Sequence, residues 1–178
     1  MSDIKGKKIL MVVAPDKFRD EELFDTKRVI ESFGGTVEVA SLTLYPAKGM
    51  KGGSVTPDLK LQDVHVDDYD AVVFVGGSGA QVYFDNQYAL NLAKKAYEKG
   101  KVLGAICIAP CILANAGLLE GKDATVWFGS EFVSLLKSKG ANYTGEAVEV
   151  DGNIVTANGP MSAKDFGKVI VTLLSKSE

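Results

Sequence analysis

An α/β domain with a mainly parallel sheet and helices on both faces is the fold class this sequence predicts. Three observations carry that reading. Short, continuous apolar runs such as Ile9 to Ala14 and Ala71 to Val75 are what parallel strands covered on both faces look like. Amphipathic segments of helical period alternate with them along the whole chain. Glycine or an Asp-Gly pair punctuates almost every change of pattern.

In order, residues 9–14 form the first strand. Asp20 is placed to cap the helix that follows, with Glu21 and Glu22 in its first turn. Leu23, Val29, Ile30 and Phe33 give that helix its apolar face, and Gly34-Gly35 ends it. Residues 36–40 form a second strand. Residues 47–66, with Gly49, Gly52, Gly53 and Pro57, read as irregular with room for a small hairpin. The third strand, 71–75, closes on Gly76-Gly77, and 88–99 is an amphipathic helix ending at Gly100. A strand through Val102 leads to Cys107 and a helix over 109–119, with Gly117 and Gly121 ending that unit. Residues 124–127 form a short strand and 130–139 a helix. Asp151-Gly152 between two apolar runs predicts a hairpin of type I′. Residues 163–174 form the closing helix, with Phe166, Val169, Ile170 and Leu173 buried. No repeat or linker divides the chain, so 1–178 is read as one domain.

The chain of 178 residues is 46% hydrophobic with a net charge of −3. Its mean hydropathy is +0.07 and its pI about 5.3. That is enough apolar material for one sizeable core. Its acidity speaks against nucleic-acid binding, which needs a basic face. No apolar stretch approaches the length of a membrane span. Residues 1–8 carry no apolar segment of the signal-peptide kind, so the expected compartment is the cytoplasm. Cys107 and Cys111 are the only cysteines. They cannot build a disulfide framework or a paired zinc site, and Cys111 reads as core.

Ala105-Ile106-Cys107-Ile108-Ala109 holds the most chemistry. A nucleophile between a strand and a helix sits on a sharp turn that needs small residues two positions to either side, and Ala105 and Ala109 meet that requirement. A thiol so placed would face solvent over a helix N-terminus, which favours thiolate. The plainer reading is a small buried hydrophobe. Ligands in an open parallel sheet bind beyond the carboxyl ends of the strands. The first strand delivers Pro15 to Glu22 there, the third delivers Gly76-Gly77-Ser78-Gly79 and the fourth delivers Cys107. Gly77, together with the N–H of Ile108, forms a candidate oxyanion-binding pair, though Gly76-Gly77 also reads as a tight turn. Glu22 is the carboxylate to place beside Cys107, although it equally suits a helix N-terminus. The one histidine, His65, precedes the third strand. It reads as a solvated loop residue among Asp63, Asp67 and Asp68, too remote to serve Cys107 as a base. No metal site and no cofactor are expected.

These residues resemble the DJ-1/PfpI superfamily over essentially the whole chain. The resemblance is carried by Phe18-Arg19-Asp20-Glu21-Glu22-Leu23, by Tyr69 to Gly77, by Ala105 to Pro110, by Leu113 to Lys122 and by Val150 to Thr156. It implies a flavodoxin-like three-layer sandwich and a homodimer or larger homo-oligomer. Within it Cys107 is the reactive, readily oxidised cysteine, Glu22 its partner, and Gly77 and Ile108 its backbone donors. PfpI-type peptidases of that superfamily carry histidine directly after the cysteine and receive a glutamate from the neighbouring subunit. Here Ile108 holds the first position and Gln81 aligns with the second. DJ-1-like members bring a crevice histidine from the strand after the elbow helix, where this chain has Trp127.

The expected function is therefore a stress-response protein whose oxidisable cysteine meets peroxide or a small reactive carbonyl, with slow glyoxalase or deglycase activity. A PfpI-type peptidase and a non-enzymatic chaperone-like or regulatory module are the alternatives. Gly76, Trp127 and Phe128 are expected to line the pocket. The aromatic pair would raise the thiol pKa against the helix dipole, and the sequence leaves the winner open.

Overall fold

The computed structural model describes residues 3–176. In chain order the elements begin with β1 (Lys8–Val12), β2 (Asp16–Phe18), α1 (Asp20–Ser32), β3 (Thr36–Ser41), β4 (Ala47–Gly49) and β5 (Ser54–Val55). They continue with β6 (Leu59–Lys60), β7 (Ala71–Phe74), α2 (Gln87–Glu98), β8 (Val102–Ile106), α3 (Pro110–Asn115) and β9 (Asp123–Ala124). The last are α4 (Ser130–Ser138), β10 (Asn142–Tyr143), β11 (Val148–Asp151), β12 (Ile154–Ala157) and α5 (Ala163–Ser175). One seven-stranded sheet, ordered β11-β12-β8-β7-β1-β3-β6, forms the middle layer. Every pair in it is parallel except β11 with β12.

Alternate residues of each central strand feed two separate cores, which is why the strands read as unbroken apolar runs. Ile9, Met11, Val73 and Ile106 pack under α1 and α5 with Leu23, Ile30, Phe166 and Ile170. Leu10, Val12, Phe74 and Leu103 pack under α2, α3 and α4 with Leu92, Ile112 and Leu136. No helix among the described residues is long and apolar enough to cross a membrane.

Four local expectations need correction. Asp20 does not cap α1: Arg19 holds the cap position without a side-chain bond. The Asp20 carboxylate instead accepts the N–H groups of Lys51 (2.8 Å) and Gly53 (2.7 Å), so it clamps the β4–β5 hairpin. The helix expected over 109–119 stops at Asn115, where the Leu118 N–H turns back to the Leu113 carbonyl at 3.0 Å. Of the expected 124–127 strand only Ala124 is laddered, paired within β9. Thr125 N–H goes to Thr156 Oγ1 (3.0 Å) and Trp127 N–H to the Cys107 carbonyl (2.8 Å), so side-chain and loop partners replace the ladder. The Asp151–Ile154 hairpin closes on Gly152 and Asn153, of which only Gly152 has a positive φ, 61°. That is the pattern of a II′ turn, since type I′ needs it at both central positions.

Candidate active site

The carboxyl ends of β1, β7 and β8 open at one edge of the sheet, and the chain leaves each through a constrained bend. Cys107 has φ 66°, and Lys17, at 58°, is the only other non-glycine described residue in the left-handed region. Such a backbone costs about 1–2 kcal/mol for an L-residue. It holds because both sides are pinned: the Cys107 N–H donates to the Ala157 carbonyl at 2.9 Å, and its own carbonyl accepts from Trp127. Ala105 and Ala109 are fully buried on either side.

Glu22 lies in the first turn of α1 and is 0% exposed. Burial pushes its carboxyl up to about 8, and the adjacent Cys107 thiol and Gly76 N–H only temper the rise. Neither carboxyl oxygen completes a hydrogen bond of normal geometry among the described residues. The role of Gly76 is close approach. A Cβ at that position would lie 2.5 Å from the Cys107 Cβ and 2.6 Å from Glu22 Oε1. Gly77 has φ 100° and sits against the backbone of Lys17, Phe18 and Arg19, so both a left-handed turn and a tight contact require glycine.

Cys107 is 8% exposed, at the floor of the crevice rather than facing solvent. Its thiol is pushed well above the usual range, first by burial and then by the charge of Glu22; the N–H groups of Gly77 and Ile108 oppose this. The expected help from a helix dipole does not prevail. α3 is only six residues long and starts at Pro110, and the donors that reach the sulfur are these two N–H groups.

Above the thiol is a cavity of about 200 Å³, lined by Arg19, Met50, Gly77, Ser78, Gln81, Cys107, Ile108, Trp127, Phe132 and Pro160. Of the expected pocket residues, Trp127 is present and Gly76 lies behind the thiol. Phe128 does not line it: its ring stacks on the outside of Trp127 at 4.6 Å and is 73% exposed. The bond from Trp127 N–H to Cys107 turns Trp127 inward and the next residue outward, and Phe132 from α4 fills the wall instead. Ile108, Gln81 and Trp127 converge on this cavity. His65 lies in a separate groove with Tyr88, Lys95 and Lys99, before β7.

Sequence reasoning brought Arg19 and Ser78 to this crevice without naming them as lining residues, and it missed Met50, Phe132 and Pro160. Arg19 was the most visible of them, directly preceding Asp20-Glu21-Glu22. Its Nε donates to Glu21 Oε1 at 2.9 Å and its Nη2 to Glu21 Oε2 at 3.1 Å. Met50 gave no local signal. The Asp20 clamp delivers its segment, and the Met50 N–H donates to the Phe18 carbonyl at 2.8 Å.

Residues 7–173 match the DJ-1/PfpI family. An uncharacterized protein of Methanocaldococcus jannaschii is 44% identical over 176 residues, covering 98% of this chain and 86% of that protein. A deglycase of Thermococcus kodakarensis is 32% identical, with 93% of this chain and 98% of the relative aligned. Among solved structures, a ThiJ/PfpI domain protein from Brachyspira murdochii superposes with a TM-score of 0.93 at 36% identity, covering 100% of both chains. With the sheet order, the Cys107 bend and the match along almost its whole length in agreement, the chain belongs to the DJ-1/PfpI family.

Proposed function

We propose that this protein is a cysteine-dependent glyoxalase or deglycase acting on small reactive carbonyls. The observation that carries the reading is one juxtaposition: the Cys107 thiol at the floor of one cavity meets two backbone donors and, behind it, the fully buried carboxyl of Glu22. In the glyoxalase form, Cys107 Sγ adds to the aldehyde carbon of an α-oxoaldehyde and the thiol proton passes to the Glu22 carboxylate. The oxyanion that forms is held by the Gly77 and Ile108 N–H groups. Glu22 returns the proton, giving a hemithioacetal. It then moves hydrogen from C1 to C2 through the enediol, leaving a thioester of a 2-hydroxy acid. Water cleaves the thioester and restores the thiol. The aldehyde carbon is oxidised and the neighbouring ketone reduced, so one water is added and no external oxidant is needed.

The deglycase named among the relatives supports this class of substrate. Peroxide would draw on the same sulfur, taking its thiolate to sulfenic acid with release of hydroxide. The apolar Ile108 and the amide of Gln81 in the cavity wall give no support to a peptidase base. A homo-oligomer belongs to the same proposal, supported by exposed Phe128 and by Met161, 100% exposed next to Pro160.

The test is conversion of methylglyoxal to lactate by wild type, Cys107→Ser and Glu22→Gln. Both variants should lose at least ~100-fold, the scale of a positioned nucleophile or proton carrier. The wild-type rate should climb as pH rises through about 8, as the thiol–carboxyl pair sheds its first proton. Equal turnover by all three folded proteins would overturn the proposal.

A further inference from the structure

We infer that the cavity selects carbonyl compounds bearing an aromatic or comparably bulky apolar substituent, arylglyoxals above all, over methylglyoxal and over polyhydroxylated sugar-derived carbonyls. The inference rests on the function proposed above and adds its substrate class. Its first support is size. Water occupies ~30 Å³ per molecule in the liquid. A cavity of about 200 Å³ amounts to roughly six or seven such volumes, so methylglyoxal, with five heavy atoms, leaves part of it unfilled, and the remainder is room for a larger substituent at the reacting carbonyl.

The second support is the wall. Met50, Ile108, Trp127, Phe132 and Pro160 present apolar surface to the cavity. Two of these are braced in place. Trp127 packs over Gly159, where a Cβ would lie 2.9 Å from the indole, and Phe132 meets Phe84 edge-on with ring centroids 6.5 Å apart. Aromatic walls held in this way lose little freedom when a flat ligand enters between them.

The third support is that two of the polar side chains in the lining already hold bonds within the protein. Arg19 gives Nε and Nη2 to Glu21, and Gln81 Nε2 donates to the Ser78 carbonyl at 3.3 Å. A hydroxylated tail entering here would find fewer open partners than it has in water, which costs affinity. Past the reacting carbonyl, the site offers an acyl substituent mainly apolar contact.

Two measurements test this together. Initial rates on phenylglyoxal and methylglyoxal should give a kcat/KM ratio of at least ~10 in favour of the aromatic substrate, since even one methylene in an apolar pocket is worth about 10-fold or more. Trp127→Ala and Phe132→Ala should each lower that ratio several-fold. Phe132→Leu, which keeps apolar bulk and is the gentler change for folding, should lower it less. Trp127 is the only tryptophan in the chain, so its fluorescence reports occupancy directly. In Cys107→Ser, which cannot react, acetophenone should quench it with a Kd at least ~10-fold below that of acetone.

Cys107-dependent turnover of methylglyoxal with no aromatic preference would overturn the inference and leave the glyoxalase reading intact. Tight acetophenone binding without turnover of either substrate would overturn the glyoxalase reading and keep the aromatic selectivity. Equal binding of acetophenone and acetone would overturn the selectivity whatever the rates show.

Discussion

Replacing Glu22 by glutamine should stabilise the protein, and by an amount that depends on pH. The carboxyl has its ordinary value of 4.5 in the unfolded chain and about 8 in the fold, because burial removes water from the charged form. Between those two values the folded protein holds a proton that the unfolded chain has lost. Stability is therefore fully present below pH 4.5, falls as pH rises, and stops falling once pH passes about 8. At ~1.4 kcal/mol per pH unit the loss is about 3 kcal/mol by pH 7 and approaches 5 kcal/mol above pH 8. Glutamine matches the neutral carboxyl in shape and cannot titrate. Wild type and Glu22→Gln should thus be nearly equal at pH 4.5 and separate by about 3 kcal/mol at pH 7, which is roughly 6–12 °C in Tm for a chain of this size. Urea unfolding of both proteins at intervals from pH 4.5 to 9 reads the gap directly. Repeating the series in Cys107→Ser removes the thiol's own titration, and the gap should persist. If the two stability curves run parallel across that range, the buried carboxyl does not carry the raised pKa and the proton-carrier role of Glu22 loses its basis. A variant both more stable and less active is the expected signature of a site that sacrifices stability for chemistry.

Asp20→Ala should cost about 2–3 kcal/mol, since it strips a buried carboxylate from two N–H groups. It should also raise amide hydrogen exchange at Lys51 and Gly53 ahead of the central strands; unchanged exchange there would refute the clamp. Gly76→Ala should destabilise by about 1–3 kcal/mol or displace Cys107, because its Cβ would meet Cys107, Glu22 and the Ile106 carbonyl at once. Thermal melts and thiol titration of that variant should both shift, and wild-type values for both would show that the three groups are not packed as described.

The parts of the fold that were legible in the sequence are those with a purely local cause. Residues 9–14 and 71–75 announced buried parallel strands because both faces of β1 and β7 meet helices, so no alternation was needed. The bend at Cys107 was legible because small flanks at Ala105 and Ala109 are a local steric demand. What was misread depended on partners far along the chain. Asp20 carries the signature of a helix cap, yet a hairpin about thirty residues on competes successfully for its oxygens. Phe128 and Phe132 are equally apolar letters, and which one faces the cavity depends on partners outside the segment: the Trp127 N–H bonds the Cys107 carbonyl and Phe132 packs on Phe84. The thiol's titration was undecidable from sequence because two opposing influences meet there, and depth of burial sets the stronger one.

That depth bears on how a thiol with a raised pKa can still react. An exposed glutamate near 4.5 would be a poor base for an ordinary thiol near 9, since the proton would move far uphill between them. Burial lifts both groups, so it does not by itself bring them closer. It does place the first proton loss of the pair near working pH and excludes water that could carry the proton away. The negative charge that remains is confined to the pair, within reach of the Gly77 and Ile108 N–H groups and the field of Arg19. A carbonyl carbon arriving at Cys107 then gives that charge an oxyanion to settle on. In the proposed reaction the attack would draw on this shared charge at the moment of contact rather than on a standing pool of free thiolate. Peroxide oxidation of Cys107 should accordingly accelerate in parallel with turnover as pH rises through about 8, because both draw on the same singly charged pair. Stopped-flow rates with hydrogen peroxide across pH 6 to 9 would show it, and a flat profile would place the reactive charge somewhere other than the Cys107–Glu22 pair.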